Sequence, residues 1–247
     1  MIKIENVSTD GWKTAIRGMR NPLNSWERSD SYFGAPYLED HLHYVEQHIG
    51  ENDAALMRKL RKAGTDHRKF MRMITVSMDI TAPLYWWKEF DTYKVGTVTN
   101  SCSTMHTIHK KAFTYADFSA ENLMPSDVAL PTVPLEHLNA TSKESLNPKE
   151  LMTGIIDMLN TARHLYLLTK DKAYWNIMIQ LLPSSYNQKR TVLLNYEVLA
   201  NMYASRKNHK LAEWREFCEY ISVDKYHQFP MSDLITGEEI PIDASKS

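Results

Sequence analysis

The chain has 247 residues, with 29 Lys and Arg against 30 Asp and Glu and a formal net charge of -1, which argues against a bulk electrostatic grip on nucleic acid or anionic lipid. No apolar run is long enough to span a bilayer and residues 1–10 lack a signal-peptide core, so a cytoplasmic protein with no membrane partner is expected, and Cys102 and Cys218 fit no metal spacing. With 8 Gly against 13 Tyr, 13 Met and 6 Trp, and neither a GxGxxG nor a P-loop pattern, a turn-rich all-β fold and the two commonest nucleotide cradles are disfavoured.

In chain order, Thr9 or Asp10 can cap a short helix carrying Trp12, Ile16 and Met19. Residues 20–34 have turn chemistry throughout and read as an ordered loop. From Pro36 to about Lys62 the spacing predicts helix in two pieces around Gly50, the first on Leu38, Leu42, Val45 and Ile49, the second on Ala54, Leu56, Leu60 and Ala63. His41, His43 and His48 suggest a metal, but residues two apart do not share a helix face, so surface histidines are the plainer reading and no metal is expected.

Ile74, Val76, Met78 and Ile80 alternate with Thr75, Ser77 and Asp79, the mark of a strand with one buried face. It feeds Ala82-Pro83 and a helix to about Asp91 with Tyr85, Trp86, Trp87 and Phe90. Val95 to His109 then has no charged Asp, Glu, Lys or Arg and is dense in hydroxyls and amides. An aromatic helix beside such a loop suits a flat polar ligand; alternatively the hydroxyls satisfy their own backbone.

Residues 111–147 read as loops with short helical turns. Asn147-Pro148-Lys149-Glu150 is a helix start of capping-box type, with Leu151, Ile155, Met158, Leu159 and Ala162 as the predicted buried face. Asp171 opens another helix to near Leu182. Ser185 to Arg206 reads as one helix on Val192, Tyr196, Leu199 and Tyr203; Asn195 and Arg206 return to nearly one face, ~16 Å apart, able to hold two ends of an anion or simply to be solvated. A last helix, Lys210 to Ile221, precedes a tail, 229–247, expected to be peripheral. The fold class is α+β, helix-rich with a small sheet, as a single domain over 1–247.

Two separated stretches resemble the flavin-dependent thymidylate synthases. That family has an apolar strand, a Pro-started aromatic helix, Arg-His-Arg and then Ser-x-Arg; later it has a Leu-Pro element carrying Asn, Asn and Arg before a Trp-bearing helix. Here Leu182-Pro183, Asn195, Asn201, Arg206 and Glu213-Trp214 fall at the family's spacing, with one extra residue after Arg206. The Arg-His-Arg positions are held by Thr92, Tyr93 and Lys94. The serine becomes Cys102, its following arginine Thr104, and the preceding acid Asn100. The arginine two after the first Asn becomes Glu197.

The resemblance implies FAD as cofactor, contacted by Tyr93, Lys94, Asn195 and Asn201. It implies a pyrimidine nucleotide lined by Asn100, Cys102, Thr104 and Arg206, with Arg206 as the catalytic candidate. Methylenetetrahydrofolate and NADPH are the implied co-substrates and a homotetramer the implied assembly. The implied reaction is methylation of a deoxyuridylate-like pyrimidine; a non-catalytic binding protein or an enzyme of another pyrimidine such as cytidylate are the alternatives. Arg68, Lys69 and Arg72 are candidates to replace the lost phosphate-binding arginines. Cys102 is read as a small neutral pocket residue rather than a nucleophile.

Overall fold

The computed structural model describes residues 2–34, 37–39, 42–44, 47–123, 132–134, 145–224 and 228–238. In order, the elements are β1 (Lys3–Asp10), α1 (Trp12–Arg20), β2 (Tyr32–Phe33), β3 (Tyr37–Glu39), β4 (Leu42–Tyr44), β5 (Gln47–His48) and α2 (Glu51–Lys62), then a 3-10 turn Arg68–Met73. They continue with β6 (Thr75–Pro83), α3 (Leu84–Phe90), β7 (Val98–Ser101), α4 (Thr104–Thr107), β8 (Val133–Pro134) and β9 (Ser145–Leu146). The chain closes with α5 (Pro148–Thr169), α6 (Lys172–Leu181), β10 (Asn187–Asn195), α7 (Tyr196–Arg206), α8 (Ala212–Ser222) and α9 (Asp233–Thr236). The principal sheet has strand order β1-β6-β10-β7, so the fold is α+β and helix-rich with a small sheet, as the sequence predicts. Among the described residues no helix is long and apolar enough to cross a membrane.

The predicted helix from Ser185 to Arg206 is a strand followed by a helix. Asn187–Asn195 buries Gln188, Val192 and Leu194, a two-residue period, and the chain turns helical only at Tyr196. Both ends of the β6–β10 pairing are visible: Tyr196 donates its N–H to the Ile74 carbonyl at 3.0 Å and Leu84 to Tyr186 at 3.0 Å. Since 74 and 196, and 84 and 186, run in opposite order, the pair is antiparallel. Apolar Val192 and Tyr196 lie four apart, which mimics helix spacing; sheet pairing overrides that local preference.

Two compact units are formed. The first comprises Met1–Lys3, Ile80–Asp91 and Asn100–Arg190. Its core joins Ile108, Phe113, Phe118 and Met178 to the inner face of α5: Met152, Ile156, Leu159 and Ala162. Leu151 and Met158, predicted inside, are 52% and 55% exposed. The buried stripe is therefore rotated by one residue toward Met152 and Ile156, because α6 packs on that side and hydrophobic spacing alone does not choose between adjacent stripes. The capping box is as read: Asn147 Oδ1 accepts from Glu150 N at 3.0 Å and Glu150 Oε2 from Asn147 N at 2.9 Å. Asp171 caps α6 through Ala173 N at 2.9 Å. Between 111 and 123 the predicted short turns appear at Tyr115–Asp117 and Glu121–Leu123, pinned where Asn160 bonds both backbone groups of Phe113. Residues 124–131 and 135–144 of that stretch lie outside the described residues.

The second unit comprises Ile4–Asp79, Thr92–Thr99 and Thr191–Ser247. Its core gathers Trp12, Met57, Met71, Tyr196, Trp214, Phe217 and Phe229, with Trp12 edge-on to Tyr196 at 5.1 Å. The opening residues form β1 rather than a helix cap, and Gly11, at φ 89°, makes the corner into α1. A Cβ there would lie 2.0 Å from the Met73 carbonyl oxygen, so only glycine fits. Residues 37–44 were predicted helical; instead β3 pairs antiparallel with β4, Leu38 opposite His43. Val45 and His41 lie outside the described residues. The tail is not peripheral over its described part: Phe229, Leu234 and Ile235 are buried. Arg58 pairs with Asp233 at 2.6 Å, and Arg61 donates to the Leu234 carbonyl at 2.6 Å.

Residues 20–34 are ordered by one buried carboxylate. Asp53 is 0% exposed and accepts Arg20 Nε at 2.6 Å, the Ser29 and Ser31 hydroxyls at 2.7 Å each, and the Ser31 N–H at 3.1 Å. Burial pushes its carboxyl up, but bonds from Ser31, Ser29 and Arg20, with the Arg20 charge, prevail and hold it below the ordinary carboxylate value. Removing one partner of a buried pair strands the other charge. Asp53→Ala is therefore expected to cost about 3–5 kcal/mol in urea unfolding. For the native chain, stability from this cluster is complete above the ordinary carboxylate value of about 4 and is lost as pH falls through the depressed native value. A melting temperature that does not fall between pH 5 and 3 more in the native chain than in Asp53→Ala would contradict this.

Candidate functional site

In the second unit the candidate residues gather around α7. Asn195 ends β10 and caps the helix, its Oδ1 accepting from Val198 N at 3.1 Å. That leaves its Nδ2 beside the turn Thr92–Gly96. Gly96 has φ +75°, and a Cβ on it would stand 2.8 Å from Asn195 Nδ2 and 3.3 Å from Val198 Cγ2. The turn carrying Tyr93 and Lys94 therefore lies against the start of α7, and Lys94 itself is exposed. Nearby in sequence, the Thr97 hydroxyl is buried without a hydrogen-bond partner among the described residues.

At the other end of α7, Arg206 is held by aromatics. Its Nε donates to the Tyr93 hydroxyl at 3.0 Å. Its guanidinium carbon lies 5.7 Å from the Tyr93 ring centre and 4.9 Å from that of Trp214. Trp214 is fully buried in α8 and 6.1 Å from Tyr93. Cation–π attraction at such distances is worth about 0.5–2 kcal/mol, and it fixes the direction of a side chain that would otherwise sample many rotamers. The structure thus brings Tyr93 and Arg206 together and sets Asn195 beside the Tyr93–Gly96 turn.

Asn201 is engaged from a different side. Its Oδ1 accepts Arg68 Nη2 at 3.0 Å. Arg68 Nε also reaches Glu197 Oε1 at 3.4 Å, and Arg72 binds Glu197 through Nε to Oε2 and through Nη2 to Oε1. The sequence offered Arg68 and Arg72 as replacements for lost phosphate ligands; the structure commits both to Glu197. Lys69, the third candidate, is exposed. It lines, with Met19, Leu23, His67, Phe70 and Met73, a largely apolar cavity of about 520 Å³ that sequence reading did not anticipate.

In the first unit the aromatic helix is core rather than wall. Trp86, Trp87 and Phe90 are at most 1% exposed and pack on one another at 4.9–5.1 Å. Burial of large rings outweighs their use as a surface. Asn100 and Cys102 are exposed, and Thr104 is half-buried at the start of α4. Cys102 is tied to β10 through its backbone, donating to the Lys189 carbonyl and accepting from Gln188 Nε2, both at 2.9 Å. Some hydroxyls do serve their own backbone: Ser103 Oγ accepts from His106 N at 3.2 Å and Thr107 Oγ1 bonds the Ser103 carbonyl.

Arg190 is the residue the sequence reading missed. It stacks 4.3 Å over Trp87, donates to Asp91 at 2.8 Å and to Gln188 Oε1 at 2.9 Å. Its place on β10 rather than on a helix puts it over a buried indole. The other cysteine, Cys218, is buried and desolvation pushes its thiol up to about 12, so it stays protonated and unreactive.

A helix-rich α+β chain, with an antiparallel strand pair leading into a capped helix and an arginine bracketed by aromatics, has the fold of the flavin-dependent thymidylate synthases. The solved structures it is similar to include thymidylate synthase X (ThyX) from Helicobacter pylori with FAD and dUMP, at TM-score 0.58 and 15% identity over 96% of this chain and 100% of that one. A second structure of the H. pylori flavin-dependent synthase, complexed with FAD and dUMP, gives 0.55 and 16% over 91% and 97%. The sequence matches no family model and no curated protein. At these identities the likeness shows the fold.

Gly96→Ala is expected to destabilise by about 1–3 kcal/mol, since alanine resists positive φ and its methyl meets the capping amide. Thermal unfolding beside a Gly64→Ala control, whose site also has positive φ but nothing within 4 Å, checks the steric part. Equal losses in the two variants would mean that Gly96 does not pack against Asn195.

Proposed function

We propose that this chain is a flavoprotein that binds FAD and a deoxyuridylate-like pyrimidine nucleotide. It would methylate that pyrimidine with methylenetetrahydrofolate as carbon donor and NADPH as reductant. The observation that carries the reading is the bracket that Tyr93 and Trp214 form around Arg206 at the end of α7, in a fold of which two solved examples hold FAD and dUMP.

The residues of the second unit fit the chemistry of a flavin. A planar ring system asks for aromatic contact and for amide and cationic groups at its polar edge. Tyr93 supplies the first and the Asn195 amide and exposed Lys94 the second, while Asn201, which the resemblance also implies, is turned to Arg68. FAD, when bound, supplies hydride and thereby removes the need for an enzyme thiol as nucleophile, so Cys102 carries no covalent role. Arg206 holds the pyrimidine or its phosphate, its direction set by Tyr93 and Trp214. Asn100, Cys102 and Thr104 are the proposed lining on the nucleotide side. A homotetramer is the proposed assembly.

A second reading is favoured by one observation. Glu197 neutralises arginines that the sequence made candidates for phosphate. That favours a binding protein without turnover; an enzyme of an altered pyrimidine such as cytidylate rests instead on Asn100 in place of a carboxylate, which changes the base edge that can pair.

The purified chain is expected to be yellow or to take up added FAD with a flavin absorbance band; a colourless protein that fails to bind FAD would remove the proposal. Arg206→Ala is expected to weaken deoxyuridylate binding by about 10–100-fold in calorimetry, the loss of a charged hydrogen bond worth roughly 1.5–3 kcal/mol. Tritium release from labelled deoxyuridylate, with folate and NADPH supplied, separates enzyme from binding protein. A preference for deoxycytidylate in the same calorimetry would select the altered substrate.

A further inference from the structure

Glu197 lies in the first turn of α7, two residues after the capping Asn195, and is 7% exposed. A carboxylate so buried needs partners. It finds them in the turn Arg68–Met73. Arg72 lies across both carboxylate oxygens, and Arg68 adds its Nε at 3.4 Å. The Arg68 side chain is 20% exposed and the Arg72 side chain 55%, so this pair of guanidiniums is reachable from solvent while the carboxylate behind it is not. Arg68 is further oriented by Asn201 at 3.0 Å.

Two guanidiniums converging on one oxyanion can hold a carboxylate or a phosphate, since both present pairs of oxygens to the guanidinium fork. Here the chain supplies the anion itself. Because Glu197 is tethered, its effective concentration at the two arginines is far above that of a free ligand. A phosphate arriving there has to displace it, which leaves a buried carboxylate unpaired.

We propose that Glu197 is a built-in anion occupying a phosphate seat between Arg68 and Arg72, so that a ligand phosphate enters at this point only by displacing it. Glu197 is thus a specificity-determining residue: a phosphate of a nucleotide or dinucleotide is held elsewhere or excluded. The inference deepens the reading of a nucleotide and flavin site around α7, but its test does not require that reading, because the probes are inorganic phosphate and pyrophosphate.

The experiment is calorimetry of the full chain with these two anions, on the native protein and on Glu197→Gln. The glutamine variant is expected to bind pyrophosphate at least about tenfold more tightly than the native chain. The gain is expected to vanish when Arg72→Gln is added. A folded Glu197→Gln protein with no gain, or a gain that survives Arg72→Gln, overturns the proposal. Should Glu197→Gln not fold, Glu197→Asp carries the test. Its carboxylate, one methylene short, reaches only one guanidinium, and a gain of about threefold is expected; no gain overturns the proposal. Flavin absorbance read in parallel keeps the two readings apart: anion gain without a flavin band sinks the flavoprotein alone, and a flavin band without anion gain sinks the phosphate seat alone.

Discussion

The antiparallel pairing of β6 with β10 is the constraint from which the candidate site follows. Tyr196 N–H on the Ile74 carbonyl closes one end of the pair, and the Thr191 hydroxyl bonds Asp79 at 2.6 Å further along. Beyond that pairing the chain turns helical at Tyr196, with Asn195 as the cap. The register therefore decides which residues enter the first turn of α7. A slip by one residue would exchange the inward and outward faces of β10, exposing Val192 and Leu194. It would also carry Asn195 and Glu197 away from the groups they now meet.

From that junction the rest is local chemistry. α7 is 11 residues long, about 16 Å at 1.5 Å per residue. It carries a capping amide at its start, a buried carboxylate within its first turn, and an arginine at its end. The Thr92–Gly96 turn packs against the first and, through Tyr93 together with Trp214, holds the last, while the Arg68–Met73 turn holds the second. This one helix thus combines a neutral cap, an internally neutralised acid and a directed guanidinium. The same unit uses Asp53 to order residues 20–34 and Arg58 and Arg61 to fasten α9. Buried carboxylates and guanidiniums thus act here as fasteners between segments distant in sequence. They bring specificity of arrangement at a desolvation cost that their multiple hydrogen bonds offset.

Much of the candidate site was legible as residues and little of it as geometry. Asn195 and Arg206 could be named from spacing and Tyr93 from the family resemblance, but their side-chain partners could not. Trp86, Trp87 and Phe90 were read as a ligand wall and are core, because sequence shows that rings cluster but not which way they face. Arg68 and Arg72 were read as spare cations and are paired, because Glu197 is more than a hundred residues away in the chain and only folding brings it within reach. Arg190 was passed over because helix and strand spacings coincide where Val192 and Tyr196 lie four apart.

What the amino-acid order determined by itself is whatever short-range stereochemistry dictates. The Asn147–Glu150 box and the Asp171 cap start their helices, the alternation from Ile74 to Ile80 makes a half-buried strand, and the scarcity of glycine disfavours a turn-rich all-β fold. These interactions close within a few residues and need no partner element. The tertiary structure alone decided that 187–195 is a strand, that α5 buries Met152 rather than Leu151, that the described tail joins the core, and that Glu197 fills the space between two arginines. Each of these depends on contacts between distant segments, and burial and ion pairing at that range outweigh the local preferences a sequence displays.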